Sequence, residues 1–146
     1  MASRRKGRIL AFQALYSWDA HYSQTKKISI PEGLLDFSWA RNSNDVPLDE
    51  EMTSFSRLLV TGTIENIISV DDMIEKHLQN WDLKRLNRVD LAVLRMSVYT
   101  LMFQTDMPPT IVIDEAIDIS REFGTDDSYR FVNGVLDSIR KTIAGI

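Results

Sequence analysis

The sequence predicts an all-α protein, because hydrophobic residues recur every three or four positions along almost its whole length. Clusters of Pro, Gly, Ser and Asn interrupt this spacing, and no segment makes a convincing case for a strand. A chain of 146 residues is long enough for one domain with its own core. We therefore expect a bundle of about six to seven helices.

The first half of the chain predicts two long helices separated by a loop-rich segment. Hydrophobic spacing predicts the first helix over Ser3 to about Tyr22. Residues 23–47 are rich in Ser, Asn and Pro, which favours loops around one short helix near residues 31–40. Pro47 and the acidic residues after it are typical of a helix start. Apolar spacing continues this helix to about Gln79, with a bend expected near Gly62 or Ser69.

The second half predicts three further helices, the first of them central. Asn87 begins it, with Asp90 three residues later in a capping-box-like arrangement. The stretch VDLAVLRMSVYTLMF is apolar nearly all round, which is typical of a helix buried on every side. Two prolines end it, and IVIDEAIDISREF predicts an amphipathic helix that Gly124 ends in a left-handed conformation. Thr125 is then the predicted cap of the last helix.

The composition narrows the function. The absence of Cys excludes disulfides, thiolate catalysis and Cys-ligated zinc, and favours a reducing compartment. There is no signal-peptide pattern and no membrane-length apolar run, so we expect a cytoplasmic protein without membrane contact. His21 and His77 are far apart, and the acidic residues within 71–75 and 114–118 are interpreted as solvated helix faces. We therefore expect no enzyme, no metal site and no cofactor.

Positive charge is concentrated at the start of an otherwise acidic chain. The chain has 17 basic and 21 acidic residues, and four of the basic ones are Arg4, Arg5, Lys6 and Arg8. Without them, 13 basic residues face 21 acidic ones, so the rest of the chain carries a net charge near -8. Each cation at a helix N-terminus is disfavoured by roughly 0.3–1 kcal/mol. Their density there indicates a polyanionic ligand, and a solvated tail without a ligand is the alternative.

Two other clusters could contribute to nucleic-acid binding. The first is a basic group just before the central helix, formed by Lys84, Arg85 and Arg88. It extends a basic track only if folding brings it beside the first helix. The second opens the last helix and consists of Tyr129, Arg130 and Phe131. Aromatic rings stack on unpaired bases and Arg holds phosphates, although the spacing of Phe131 with Val135 also fits a core position.

Three stretches of the chain resemble the family of bacterial transcription antitermination factors called NusB. They are RRKGRILAFQALYSWD at the first helix, NRVDLAVLRMSVYTL at the central helix and IDEAIDISREFGTDDSYRFVNGVLDSIRK near the C-terminus. The ordered combination of DEAI, FG-x-x-x-S and RFVNGVLD makes this resemblance highly specific. Residues 21–50 match the family poorly, so nothing is inferred from them.

The resemblance implies a fold of two small helical bundles packed perpendicular to each other, at about residues 1–80 and 81–146 of a single domain. It also implies no enzymatic activity. Members of the family bind the boxA element of ribosomal RNA operon transcripts as a heterodimer with a small-subunit ribosomal protein, called NusE in this role. That complex joins elongating RNA polymerase with NusA and NusG and suppresses premature termination. A monomer and a homodimer in the free state both remain open.

Carried over by position, the resemblance implies nine RNA-binding residues and one partner contact. The RNA-binding residues are Arg4, Arg5, Lys6, Arg8, Gln13, Tyr16, Asp127, Arg130 and Phe131. Asp90 matches an acidic position on the NusE-facing surface, with helix capping as the competing explanation. Gly7 lowers helix stability by roughly 1 kcal/mol relative to alanine, so we expect the first turn to become ordered on binding RNA.

Two other functions fit parts of the pattern. Some ribosomal RNA cytosine methyltransferases carry an N-terminal domain that resembles NusB, but we expect no methyl-donor domain in a chain that stops at Ile146. A purely structural interaction protein without RNA binding is the second alternative. An RNA titration with and without NusE separates these cases.

Overall fold

The computed structural model describes residues 2–40, 49–79 and 82–146, and over these ranges the chain forms helices and no strands. The α-helices are α1 (Ala2–Thr25), α2 (Glu50–Glu65), α3 (Ile67–Lys76), α4 (Arg88–Phe103), α5 (Pro109–Phe123) and α6 (Ser128–Ala144). Short 3-10 helices lie at Ser38–Ala40 and Leu83–Arg85. No helix within the described ranges has the length and apolar character needed to cross a membrane. The predicted all-α fold is confirmed.

Helix α4 is the centre of the bundle, as its sequence predicts. Every residue from Asp90 to Leu101 is buried, and α4 packs against all five other α-helices. The Asn87 side-chain oxygen accepts hydrogen bonds from the backbone N–H groups of Val89 at 2.8 Å and Asp90 at 3.4 Å. The predicted cap at Asn87 is therefore confirmed, whereas the Asp90 side chain makes no hydrogen bond back to Asn87 within the described residues. Because α4 contacts helices from both halves of the chain, the division into subbundles at residues 1–80 and 81–146 stays a prediction.

A close approach between α1 and α2 explains Gly7. The Ser56 hydroxyl donates a hydrogen bond to the Gly7 carbonyl oxygen at 2.7 Å, and a methyl group on Gly7 would lie 2.8 Å from Cδ2 of Phe55. The first turn of α1 is already helical from Ala2, contrary to the expectation that it becomes ordered on RNA. Packing on α2 compensates for the helix propensity that the glycine lacks.

The long helix predicted after Pro47 is divided in two. Its sequence predicts a bend near Gly62 or Ser69, whereas the structure ends α2 at Glu65 and begins α3 at Ile67. The intervening Asn66 donates hydrogen bonds to the Gly62 carbonyl oxygen from its side chain at 2.8 Å and its backbone at 3.1 Å. These bonds occupy a carbonyl in the last turn of α2 and allow the chain to change direction there.

Two further boundaries differ from the sequence prediction or refine it. Pro47 lies outside the described residues, and Asp49 caps α2 by accepting a hydrogen bond from the Met52 N–H at 2.6 Å. The short helix expected near residues 31–40 is reduced to turns and the 3-10 helix at Ser38–Ala40.

The junction between α5 and α6 is set by close packing. Gly124 is extended, with φ -95° and ψ -166°, so the predicted left-handed conformation is wrong. A methyl group at Gly124 would lie 2.6 Å from Cβ of Ser128, which explains why a glycine is suited to this position. Asp127, rather than Thr125, occupies the cap position of α6, and its side chain makes no cap hydrogen bond.

A buried ion network joins α1, α3 and α4, so the interpretation of Asp71 as part of a solvated helix face is wrong. Arg95 donates hydrogen bonds of 2.9 Å to both carboxylate oxygens of Asp71 and another of 2.9 Å to Asp19. Arg88 donates to the second oxygen of Asp19 at 3.2 Å. Burial opposes the charge of Arg95, but the carboxylates of Asp71 and Asp19 prevail and raise its pKa. The network fixes the second half of α1 on the central helix.

Candidate nucleic-acid interface

The predicted cationic residues occupy the first turns of α1 and differ in exposure. Arg4 and Arg5 are exposed and Lys6 is half-buried, whereas the side chain of Arg8 is only 12% exposed. The guanidinium groups of Arg4 and Arg8 lie 4.4 and 5.5 Å from the centre of the Phe55 ring on α2. This shared aromatic face holds two cations on the same side of α1.

Two carboxylates of α5 face these cations. Arg5 Nη2 donates a 2.6 Å hydrogen bond to Asp118 Oδ2, and Arg5 Nε lies 3.5 Å from Glu115 Oε2. The same Glu115 oxygen lies 3.9 Å from Arg8 Nη1. The interpretation of these acids as a merely solvated face was therefore incomplete, because they pair with cations more than a hundred positions away in the sequence.

These surroundings shift the pKa values of Arg5 and Arg8 in opposite directions. The hydrogen bond to Asp118, followed by the charge of Glu115, raises the pKa of Arg5. Burial lowers the pKa of Arg8, the charge of Glu115 opposes this shift, and the neighbouring arginines add to it. Arginine stays protonated at neutral pH in both environments. Arg8 therefore keeps its charge while facing inward, and Arg5 presents a charge that is already paired.

An apolar groove lies further along α1. It encloses about 210 Å³ and is lined by Phe12, Gln13, Tyr16, Val89 and Phe123. The Phe12 and Phe123 ring centres are 5.3 Å apart, and Tyr16 is 48% exposed although it is a large aromatic residue. The structure therefore brings the predicted Gln13 and Tyr16 together beside an exposed apolar surface of the kind on which bases stack.

The start of α6 carries the remaining predicted RNA-binding residues. The side chains of Asp127 and Arg130 are 87% and 71% exposed and form a loose ion pair at 3.5 Å. Arg130 also lies 5.2 Å from the centre of the Tyr129 ring, and Arg121 of α5 lies 4.5 Å from it. Phe131 is half-buried and packs against the core while keeping part of its ring accessible.

Helix α5 connects the N-terminal cations to the start of α6. Arg5 contacts Asp118 in the middle of α5, and Phe12 contacts Phe123 at its end. Helix α6 then begins at Ser128. The cations, the groove and the start of α6 therefore follow one another along α5.

The remaining candidates are Asp90 and the basic cluster just before α4, which consists of Lys84, Arg85 and Arg88. Asp90 is buried, and its Oδ1 has no hydrogen-bond partner within the part of the chain that the structure describes. Burial raises the pKa of Asp90, and a hydrogen bond from Ser128 opposes this shift. Arg88 points inward to Asp19 and to the carbonyl oxygen of Leu83 at 2.6 Å. The other two residues of the cluster, Lys84 and Arg85, are exposed.

Four residues of the candidate interface were not predicted: Val89 and Phe123 in the groove, and Glu115 and Asp118 beside the cations. Phe123 fits the apolar spacing of α5, so its position indicates core packing and gives no sign of a groove. Over residues 2–40, 49–79 and 82–146, no group of three or more His, Cys, Asp or Glu side chains could hold a metal ion.

Comparisons with known proteins identify the family. The model of the NusB family matches residues 5–141. A Treponema denticola protein named transcription antitermination protein NusB is 52% identical over 137 residues, which cover 94% of this chain and 95% of that protein. A Treponema pallidum protein of the same name is 51% identical over 139 residues, which cover 95% of this chain and 93% of that protein.

Solved structures agree with the sequence matches. NusB of T. maritima superposes with a TM-score of 0.78 at 34% identity, covering 94% of this chain and 90% of that chain. A crystal structure of the antitermination factors NusB and NusE in complex with dsRNA gives a similar fold, with a TM-score of 0.80 at 27% identity and coverage of 97% and 98%. The family model, the sequence identities and the shared fold together show that this chain belongs to the NusB family.

Proposed function

We propose that this chain is a transcription antitermination factor that binds boxA RNA of ribosomal RNA operon transcripts together with NusE. Its family membership and the names of its relatives support this function, as does the similarity to a NusB–NusE complex with RNA. The observation that carries the proposal is the succession of arginines, apolar groove and exposed α6 start along α5. In this function the chain binds and carries out no reaction.

The arginines of α1 supply affinity for the RNA backbone. Arg4 and Arg5 are exposed and can reach phosphates, and the half-buried Lys6 follows them in the chain. Arg8 is mostly buried against Phe55, so its main contribution is a positive field below the surface. Phosphate contacts by such residues release counterions from the RNA, which makes the affinity depend on salt concentration.

The groove and the start of α6 supply contacts to bases. Tyr16 and the accessible part of Phe131 offer rings for stacking, worth roughly 1–3 kcal/mol per base in comparable proteins. Gln13 can both donate and accept hydrogen bonds at a base edge. Asp127 accepts from base amino groups, and Arg130 lies beside it to contact the neighbouring phosphate. Unpaired RNA fits these contacts because its bases are free to turn outward.

The partner surface includes the start of α4. The buried Oδ1 of Asp90 lacks a hydrogen-bond partner within the described residues, so it can accept a bond from a NusE donor that reaches it. The acidic remainder of the chain favours a basic ribosomal protein and repels polyanions elsewhere. We place the resulting complex on elongating RNA polymerase with NusA and NusG, where it suppresses premature termination.

The decisive experiment is a titration of fluorescently labelled boxA RNA and a scrambled RNA with the chain, alone and with NusE. We expect boxA to bind more tightly than the scrambled RNA, and NusE to increase the difference. Gln13→Ala should weaken boxA binding, whereas Gln24→Ala, an exposed glutamine near the other end of α1, is the matched control. Equal affinity for both RNAs, or no binding to either, would contradict the proposed function.

A further inference from the structure

The exposed arginines at the start of α1 are not equally available to a ligand. Over the described ranges Arg4 forms no ion pair, and its guanidinium lies on the Phe55 ring. Arg5, by contrast, donates its 2.6 Å hydrogen bond to Asp118 and lies 3.5 Å from Glu115. Both side chains of the Arg5–Asp118 pair remain about half exposed, at 52% and 44%. A solvent-borne anion can therefore reach the pair and exchange with the carboxylate.

The geometry of the pair resembles the one that a phosphate would adopt. A carboxylate and a phosphate both present oxygens to the N–H groups of a guanidinium, and charge-assisted bonds of this kind are short. Asp118 occupies one terminal N–H position of Arg5, and Glu115 lies beside its Nε. A phosphate that binds Arg5 through the same edge must replace these oxygens.

We propose that Asp118, assisted by Glu115, is an internal competitor for the RNA phosphate at Arg5. This inference depends on the proposed RNA-binding function and adds a residue that limits its affinity. Asp118 reduces the fraction of molecules in which Arg5 is free. The apparent dissociation constant for RNA then rises as the inverse of that fraction. Contacts to the RNA phosphates alone then give weak binding, and stable binding requires that bases also occupy the groove.

Glu115 contributes in a different way from Asp118. Its Oε2 is buried without a hydrogen bond within the described residues, and it faces both Arg5 and Arg8 at 3.5 and 3.9 Å. It is therefore needed to balance the mostly buried Arg8, and its removal would disturb the packing of α1. Asp118 is more exposed and pairs only with Arg5 among the described contacts, which makes it the better position for a test.

The test compares Asp118→Asn with Asp114→Asn. Asp114 is an exposed acid one turn earlier on α5 and pairs with no arginine among the described residues, so its substitution removes the same charge without opening Arg5. Exposed ion pairs shift equilibria by up to about fivefold. We expect Asp118→Asn to bind boxA RNA roughly three- to fivefold more tightly than the unmodified chain, and Asp114→Asn to bind less than about 1.5-fold more tightly.

A double-mutant cycle decides whether the effect passes through Arg5. In an Arg5→Ala background, Asp118→Asn should change the affinity by less than about 1.5-fold, since no guanidinium is left to release. An equal gain in both backgrounds, equal gains for the Asp114 and Asp118 variants, or weaker binding by Asp118→Asn would overturn the inference while leaving the proposed function intact. Failure of the unmodified chain to bind boxA RNA would instead overturn the proposed function, and this inference with it.

Discussion

Removal of Arg95 alone from the buried ion network should strongly destabilise the fold, because it leaves a buried carboxylate without its partner. We choose Arg95→Met because methionine fills a similar volume without a charge. The substitution removes three hydrogen bonds of 2.9 Å to Asp71 and Asp19 from a side chain that is 4% exposed. Loss of one member of a buried ion pair costs roughly 3–5 kcal/mol, because the remaining charge has no counterion.

The structure favours the lower end of this range. Asp19 keeps Arg88 at 3.2 Å after the substitution, so the charge that loses its partner belongs mainly to Asp71, whose side chain is 15% exposed. We therefore expect a loss of about 3 kcal/mol in the free energy of unfolding. For a domain of this size, that corresponds to a fall in Tm of roughly 6–12 °C.

Urea denaturation at neutral pH measures the loss directly, and the double variant Arg95→Met with Asp71→Asn is its control. Because the double variant leaves no buried carboxylate without its partner on α3, it should recover more than half of the lost stability. A single variant as stable as the unmodified chain would refute the reasoning. So would a double variant no more stable than the single one.

Three further substitutions test other parts of the structure. Gly7→Ala should lower the free energy of unfolding by about 1 kcal/mol, because overpacking against Phe55 outweighs the gain in helix propensity. A higher free energy of unfolding in urea denaturation would contradict the close approach. Burial raises the pKa of Asp90 in the folded state, so ionisation of this carboxyl lowers the stability of the unmodified chain. The Asp90→Asn variant should therefore become more stable relative to the unmodified chain as the pH rises from about 4 to 7. A stability difference that does not change with pH would argue against this. Phe131→Leu should weaken RNA binding by roughly 1–3 kcal/mol and reduce the free energy of unfolding by less than about 1.5 kcal/mol. A much larger loss of stability, measured by thermal melting, would identify Phe131 as a core residue.

The parts of the fold that depend on local sequence could be predicted. Helix α4 is apolar all round and begins at an asparagine suited to capping, so its central position and its cap are both confirmed. A bend in this region was expected, but its position at Asn66 could not be predicted, because α2 and α3 share one continuous apolar pattern. The expectation that Gly7 leaves the first turn unordered was wrong for a related reason. Helix propensity disfavours glycine but contains no information on the close approach of α2.

The candidate interface depended more on tertiary structure. The N-terminal cations stand out against the acidic chain, and the family resemblance added Gln13 and Tyr16, which the fold brings to one groove. The Arg5–Asp118 pair joins residues 113 positions apart, so no local pattern could reveal it. Arg95 lies in an apolar helix as an isolated cation, and its carboxylate partners come from two other helices.

The central claim is that the first turn of α1 binds an RNA backbone, and the salt dependence of binding tests it most directly. Each lost phosphate contact should reduce the slope of log K against log salt by roughly 0.7 for a single strand. Arg4→Ala combined with Arg5→Ala should therefore flatten the slope by about 1.4. The control is Lys26→Ala with Lys27→Ala, which removes the same charge from exposed positions beyond the other end of α1 and should leave the slope nearly unchanged. An unaltered slope in the arginine variant, or equal flattening in both variants, would contradict the account.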